Sequence, residues 1–476
     1  MDEDLGTPAL GAEPGEVGQI GALVPLRNRF AVPFLKRYAD KEYLPARRLR
    51  FLRLPGASQS KYAASIKANH TTAGGGRRIL PFSRRFLAGS LLATALAMPL
   101  AGDCIAAEAA IKLGNTAPYS GPASAYGTIA RAEAAYFQKL NDEGGINRRK
   151  IDFLTLDDAY SPAKTVEQTR KLVEQEDVLA MFSSVGTAPN ISVQKYLNAK
   201  HIPQIFVSSG ATRWNDPEHF PWTVGFNPTY ELEGRLYAQY ILKARPNAKI
   251  AVIAPNEDAG KDYVRGFKAG LGEHVDQLVS ETTYLTADPT IDSQMVTMRE
   301  SGADVFFAEA TPKFAAQAIK KAASMGWKPL IILPSVSNSF AAVLEPAGIE
   351  NAIGVVTGLY LKDPNDARWA DDPALKDWLA WMKKYQPNAS TGDLYNVQGY
   401  TAAQIMALVL QNCGDDLSRD NIIRQATSLN GVTMPMLLPG IRIHTDPHNV
   451  TPIRQIQMAR FDGKSWVLFG DVLGEK

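Results

Sequence analysis

Apolar residues recur along this chain in two alternating rhythms. From residue 111 onward, short runs rich in Ile, Val, Leu and Phe alternate with longer stretches whose apolar positions fall three or four apart. The first rhythm predicts strands and the second amphipathic helices. Strands are predicted at 111–117, 151–156, 178–182 and 203–207. Helices are predicted between them at 125–141, with Ala130, Ala134, Phe137 and Leu140 on one face, at 162–174 behind Pro162, and at 187–198. Gly144-Gly145 stops the first of these helices.

The pattern then restarts. A helix is predicted at 230–243, with Leu232, Leu236, Tyr240 and Ile241 on one face. Strand 249–253, helix 262–271, strand 278–284, helix 291–301, strand 304–308, helix 313–325 and strand 330–333 follow. A strand at 355–361, helices at 374–385 and 401–410, and strands at 456–461 and 465–469 complete the order. Strand–helix alternation at this spacing implies parallel sheets with right-handed crossovers. The expected architecture is α/β, two doubly wound halves with a cleft between them. Ligands of such sheets sit at the carboxyl ends of the strands.

The chain before residue 110 has another character. The pairs Arg77-Arg78 and Arg84-Arg85 precede a run of 16 uncharged residues, 87–102. Small residues follow at Ala106, Ala107 and Ala109. This is the order of an export signal: basic region, apolar region, cleavage site. The run is shorter than the roughly 20 residues of a membrane span, and Pro99 interrupts it. Cys104 invites lipid attachment, but Asp103 stands where a lipobox wants a small residue. Ser83-Arg84-Arg85-Phe86-Leu87 fits a twin-arginine pattern only loosely. We therefore read 76–109 as a signal peptide. Residues 1–75 carry basic clusters such as Arg47-Arg48-Leu49-Arg50 and no periodicity. They are read as an extension that is disordered or stems from a start placed too far upstream.

Removing the leader changes the charge. Residues 1–110 hold 15 Lys+Arg and 9 Asp+Glu, which leaves 36 and 40 in the remainder, a net of −4. The remainder carries no basic footprint for nucleic acid. It has a single cysteine, Cys413, so no disulfide can form within it.

Three glycine- and hydroxyl-rich loops follow predicted strands: 119–127 with Tyr126, 183–187 with Gly186 and Thr187, and 208–212 with Ser209, Gly210, Ala211 and Thr212. Free N–H groups at a following helix N-terminus favour an anion such as a carboxylate. None carries the Gly-Lys-Ser/Thr of a phosphate loop. Catalytic patterns are weak. His444-Thr-Asp446-Pro-His448 reads as a polar turn more readily than a metal site. No Gly-x-Ser-x-Gly elbow is present. Asp157-Asp158 reads as a solvated turn capping the next segment rather than an acid–base pair.

Ser120-Gly121-Pro122, the run 141–147 (Asn-Asp-Glu-Gly-Gly-Ile-Asn), Asp157-Asp158, 209–212 and Gly260-Lys-Asp-Tyr263 occur in an order and spacing that resemble the solute-binding proteins of branched-chain amino acid-type ABC transporters, the type I periplasmic binding proteins. The resemblance covers essentially all of the chain beyond the leader. It implies a Venus-flytrap of two α/β lobes joined by a three-strand hinge, lobe 1 from 110–229 and 358–440, lobe 2 from 230–357 and 441–476. It implies a periplasmic monomer that needs no cofactor, catalyses nothing and hands a small molecule to permease subunits. It places ligand-carboxylate contacts on Gly186 or Thr187 and on the stretch Ser209 to Thr212, and an aromatic wall on Tyr126. Tyr230 stands where amino acid binders have an acidic residue, and Ser335 where they hold the ammonium with a glutamate. A carboxylate-bearing organic acid is therefore expected over an α-amino acid, with Glu309 as an alternative partner for an ammonium. A sensory protein of the same fold and a secreted hydrolase are the other readings; the hydrolase would need a nucleophile with its base, and none stands out.

Overall fold

The computed structural model describes residues 109–475. The predicted leader up to residue 108 lies outside them. Two sheets organise this part of the chain. The first is built from β1 (Ile111–Ala117), β2 (Ile151–Asp157), β3 (Ala180–Phe182), β4 (Gln204–Val207) and β5 (Thr223–Gly225), in the order β2-β1-β3-β4-β5, all parallel. Helices α1 (Gly127–Asp142), α2 (Pro162–Arg170) and α3 (Thr187–Ala199) make the crossovers. Alternate residues serve opposite faces of the sheet. Leu113 and Phe182 pack with Phe137 of α1, while Met181 packs with Val193 and Leu197 of α3.

The second sheet follows the order β12-β11-β10-β9-β8-β6-β7. Its parallel part is β6 (Ile250–Pro255), β7 (Leu278–Tyr284), β8 (Val305–Ala308), β9 (Leu330–Ile332) and β10 (Val356–Leu359); β11 (Gln455–Phe461) and β12 (Trp466–Gly474) add an antiparallel edge. Helices α4 (Tyr230–Ala244) and α5 (Asp258–Leu271) cover one face, against Val252 and Phe307. Helices α6 (Asp292–Glu300) and α7 (Pro312–Ser324) cover the other, against Ile253 and Phe306. Both faces are buried, so these strands read as continuous apolar runs. The short helices α8 (Glu345–Ala347) and α9 (Ile349–Ala352) lead into β10.

After β10 the chain leaves the second sheet for α10 (Pro373–Tyr385), α11 (Leu394–Cys413) and α12 (Arg419–Ala426). Gly399 of α11 lies against the backbone of α1, where an added Cβ would stand 2.2 Å from the Ile129 carbonyl oxygen. The chain thus passes between the two halves three times: after β5, after β10 and before β11.

Several elements differ from the sequence expectation. β5 is absent from it, because three residues carry no period. α11 begins seven residues earlier than the expected 401, because Asn396, Gln398 and Gly399 break the apolar pattern although all of Leu394–Ala403 is buried. The helix expected at 162–174 changes to π-type turns at Lys171–Gln175. α12 was also not anticipated.

Candidate functional site

A cavity opens between the halves at the carboxyl ends of the parallel strands. It holds about 480 Å³ of empty space, mouth included, mostly in narrow gaps between side chains. Tyr126, Gly186, Ser208 and Tyr230 line it with Tyr160, Asn227, Glu257, Glu309, Thr311 and Gln398. A wider hollow on the second half, around Arg245, Trp327 and Ile353, lies at the opposite end of those strands.

Each wall residue is held by its own element. Tyr126 ends the loop after β1; it is buried, with its ring centroid 5.3 Å from that of Tyr395. Gly186 is the N-cap of α3 at φ +102°, and a side chain there would run into the Tyr160 ring at 2.4 Å. The Thr187 and Ala188 N–H groups that open α3 donate to nothing among the described residues. Gln398 of α11 donates to the Ser208 hydroxyl at 3.0 Å.

Tyr160 was not foreseen. Ala159 and Tyr160 both sit in the left-handed region, at φ +50° and +59°. Neither residue type favours it. Asp157 accepts from Ala159 N–H at 3.0 Å and Asp158 from Tyr160 N–H at 2.9 Å, so the acidic pair fixes the turn that aims Tyr160 at the cleft. Asp158 is fully buried rather than solvated, with its other oxygen on the Thr165 hydroxyl at 2.8 Å. The Tyr160 hydroxyl donates to Glu257 Oε1 at 3.0 Å, across the gap between the halves.

Five predicted contacts, Thr187, Ser209, Gly210, Ala211 and Thr212, are not on the cavity wall. The Ser209 hydroxyl is held by Thr187 at 2.7 Å, Ala211 N–H and the Trp214 indole N–H. Gly210 lies beneath the Tyr230 ring, which comes within 2.7 Å of where its Cβ would be. Thr212 N–H donates to Asp262 Oδ2 of α5 at 2.7 Å. A carboxylate of the protein itself therefore takes that donor. Arg213 and Asp258 add an ion pair at 3.5 Å between the same segments.

Ser335 is also elsewhere. Its N–H and hydroxyl donate to Glu233 of α4 at 3.0 and 2.7 Å, and it borders a small neighbouring hollow. Glu309, expected as an alternative partner for an ammonium, is one of two acidic residues on the cavity wall. Glu309 at the end of β8 and Glu257 at the end of β6 both line the cavity, and sequence reasoning missed the second. Burial pushes Glu257 up to about 7 and Glu309 well above the ordinary carboxylate range. Burial likewise raises Asp363 and Asp393 to about 6.

These groups hold protons in the native state that the unfolded chain would release. Stability then falls as pH rises through the interval between unfolded and native values. The melting temperature without ligand is expected to decline between pH 4.5 and 7. The stretch from pH 6 to 7 lies above Asp363 and Asp393, and Glu257→Gln should lessen its slope, with Glu309 and Glu133, both raised well above the ordinary range, keeping the remainder. A melting curve that rises with pH over this interval would contradict the assignment.

Among the described residues no group of three or more His, Cys, Asp or Glu could hold a metal ion, and no helix is long and apolar enough to cross a membrane. Asp446 of the expected polar turn accepts from the N–H groups of His448 and Asn449.

Two α/β halves, three chain crossings and a buried cavity walled from both halves define a cleft-type solute-binding protein. The chain belongs to the periplasmic binding protein family, whose model matches residues 110–465. It is 23% identical over 381 residues to the Leu/Ile/Val-binding protein homolog 7 of Brucella abortus (strain 2308), covering 76% of this chain and 90% of that one. Its fold resembles a branched-chain amino acid ABC transporter protein from Thermus thermophilus with bound valine, with a TM-score of 0.69, 16% identity and coverage of 77% and 97%. It also resembles an ABC transporter solute-binding protein from R. palustris in complex with benzoate, with a TM-score of 0.66, 22% identity and coverage of 77% and 98%. The fold is that of the type I, Leu/Ile/Val-binding-protein-like members. Family membership implies a periplasmic location, and the relatives are named for binding rather than catalysis.

Proposed function

We propose that the protein is the substrate-binding component of an ABC importer of the branched-chain amino acid type, capturing a small carboxylate-bearing solute in the cleft and delivering it to permease subunits. The observation that carries the carboxylate is the start of α3. Its N-cap, Gly186, lines the cavity, and the next two N–H groups have no partner among the described residues. Such a terminus offers directed donors and a positive dipole end. The valine- and benzoate-bound relatives both hold ligands with a carboxyl group, which supports the same reading.

Capture needs no chemistry. A solute that touches both halves only when they close shifts the population toward the closed form by that difference in affinity. A thermal-shift screen over organic acids and amino acids tests the function. A solute at about 100 times its dissociation constant adds roughly 2.7 kcal/mol to stability and raises the melting temperature. The reading fails if no carboxylate solute does so.

Tyr126→Ala locates the pocket. The ring is buried in a small cluster with Ile129, Val185 and Tyr395, apart from the main cores of both sheets, so the variant should fold at a lowered melting temperature. Affinity, read by calorimetry, should fall by about tenfold or more. Unchanged affinity would place the ligand elsewhere.

A further inference from the structure

We infer that the start of α5 is a latch: Glu257, Asp258 and Asp262 engage donors of the first half and hold the two halves together through the chain's own contacts. Residues outside the cavity then set how long a solute stays. The latch itself needs no solute; only this consequence rests on the reading of the cleft as the solute site.

Three contacts cross the gap from one short segment. Asp262 Oδ2 accepts from Thr212 N–H at 2.7 Å, Asp258 lies 3.5 Å from the Arg213 guanidinium, and Glu257 accepts from the Tyr160 hydroxyl at 3.0 Å. The acceptors all stand on the second half and the donors on the first, so the facing surfaces are complementary. Neither Asp258 nor Asp262 lines the cavity. Two other bonds join the halves elsewhere, from the Tyr395 hydroxyl to the Val336 carbonyl at 2.7 Å and from the Ser339 hydroxyl to Asp393 at 2.9 Å.

Each partner in the latch is aimed by its own half. Asp262 is 7% exposed, and its other oxygen pairs with Arg265, which also holds Glu231 of α4. Arg213 donates twice to the Gln194 side chain of α3, at 3.1 and 2.9 Å. Asp157 and Asp158 fix the turn that carries Tyr160. Groups already held in place lose little freedom when they meet, so their contact contributes more of its strength.

Such a latch favours the closed form equally whether the cleft is empty or filled. Its strength passes in full into the rate at which a solute leaves. It enters the rate of arrival only through the fraction of empty protein that it keeps shut. Affinity therefore rises with latch strength until the empty protein is itself mostly closed.

Hydrogen exchange read by mass spectrometry on the full-length protein without solute tests this at the Thr212 amide. Asp262→Ala removes the acceptor and should speed that exchange by about tenfold or more. Tyr160→Phe lies on a different loop and leaves the acceptor in place, so it can act on Thr212 only by letting the halves part; about five- to tenfold is expected. Arg213→Gln, corrected for its intrinsic exchange rate, should give about two- to fivefold. Peptides from β6 and β8 should keep their protection in all three variants, which separates opening from unfolding. Thr212 exchange unmoved by both Tyr160→Phe and Arg213→Gln would overturn the latch, whatever Asp262→Ala does. That result leaves the solute reading standing, and a solute screen without a hit would not alter the exchange result.

Discussion

Gly266→Ala is expected to lower the melting temperature by at least about 5 °C, the equivalent of roughly 3 kcal/mol or more in a domain of this size. The reason is the contact between α4 and α5. A Cβ on Gly266 would stand 2.1 Å from the Glu231 carbonyl oxygen, one on Gly234 2.4 Å from that of Tyr263, and one on Gly270 2.5 Å from that of Arg235. Three glycines let the two helices touch backbone to backbone. The obstructing atoms are main-chain oxygens, so no rotamer change relieves the clash and the helices must separate. Separation would also displace Glu257, Asp258 and Asp262, so any residual folded protein should bind solute poorly. Differential scanning calorimetry of Gly266→Ala beside the wild type decides it. A variant that melts within a degree of the parent would refute the tight crossing.

Glu233→Gln carries the second large expected effect, a loss of about 2–4 kcal/mol. Glu233 is wholly buried on α4 and accepts from Ser335 N–H at 3.0 Å, the Ser335 hydroxyl at 2.7 Å and the Tyr237 hydroxyl at 2.7 Å. Tyr237 in turn accepts from Gly358 N–H of β10 at 3.1 Å. One carboxylate therefore gathers donors from α4 and from the segment after β9, with β10 joined through Tyr237. A glutamine keeps the shape but offers one acceptor oxygen, and its amide N–H₂ would face donors. Urea unfolding should show a lower midpoint with an unchanged slope, the mark of lost stability without a change in surface exposed. An unaltered midpoint would show that the network contributes little.

The same residue explains where sequence reasoning failed. Ser335 follows a strand at the right place for a ligand contact, yet position along a strand does not say what a side chain meets. Glu233 lies on a helix 102 residues earlier and claims it first. Positions set by one strand end were legible: Tyr126, Gly186 and Glu309 line the cavity from the ends of β1, β3 and β8, and Tyr230 lines it from the first position of α4. Tyr160 and Glu257 were not, because an Asp-fixed left-handed turn and a pairing across 97 residues leave no local pattern. Gln398 was missed because it sits in a helix buried on all sides, where apolar spacing gives no phase. Most strands and helices were readable for the opposite reason. β7 alternates half-buried and exposed residues along an edge, and β6 and β8 are apolar throughout.

The position of α11 bears on how the protein is made. The five strands of the first sheet are complete once residue 225 has been synthesised, but the helix that covers α1 begins at Leu394. Between them the ribosome must deliver most of the other half. A nascent chain therefore carries an uncovered apolar flank on α1 for the whole of that interval. Neither half can be cut out as one continuous piece, and a chaperone or a holding factor would find its longest opportunity there.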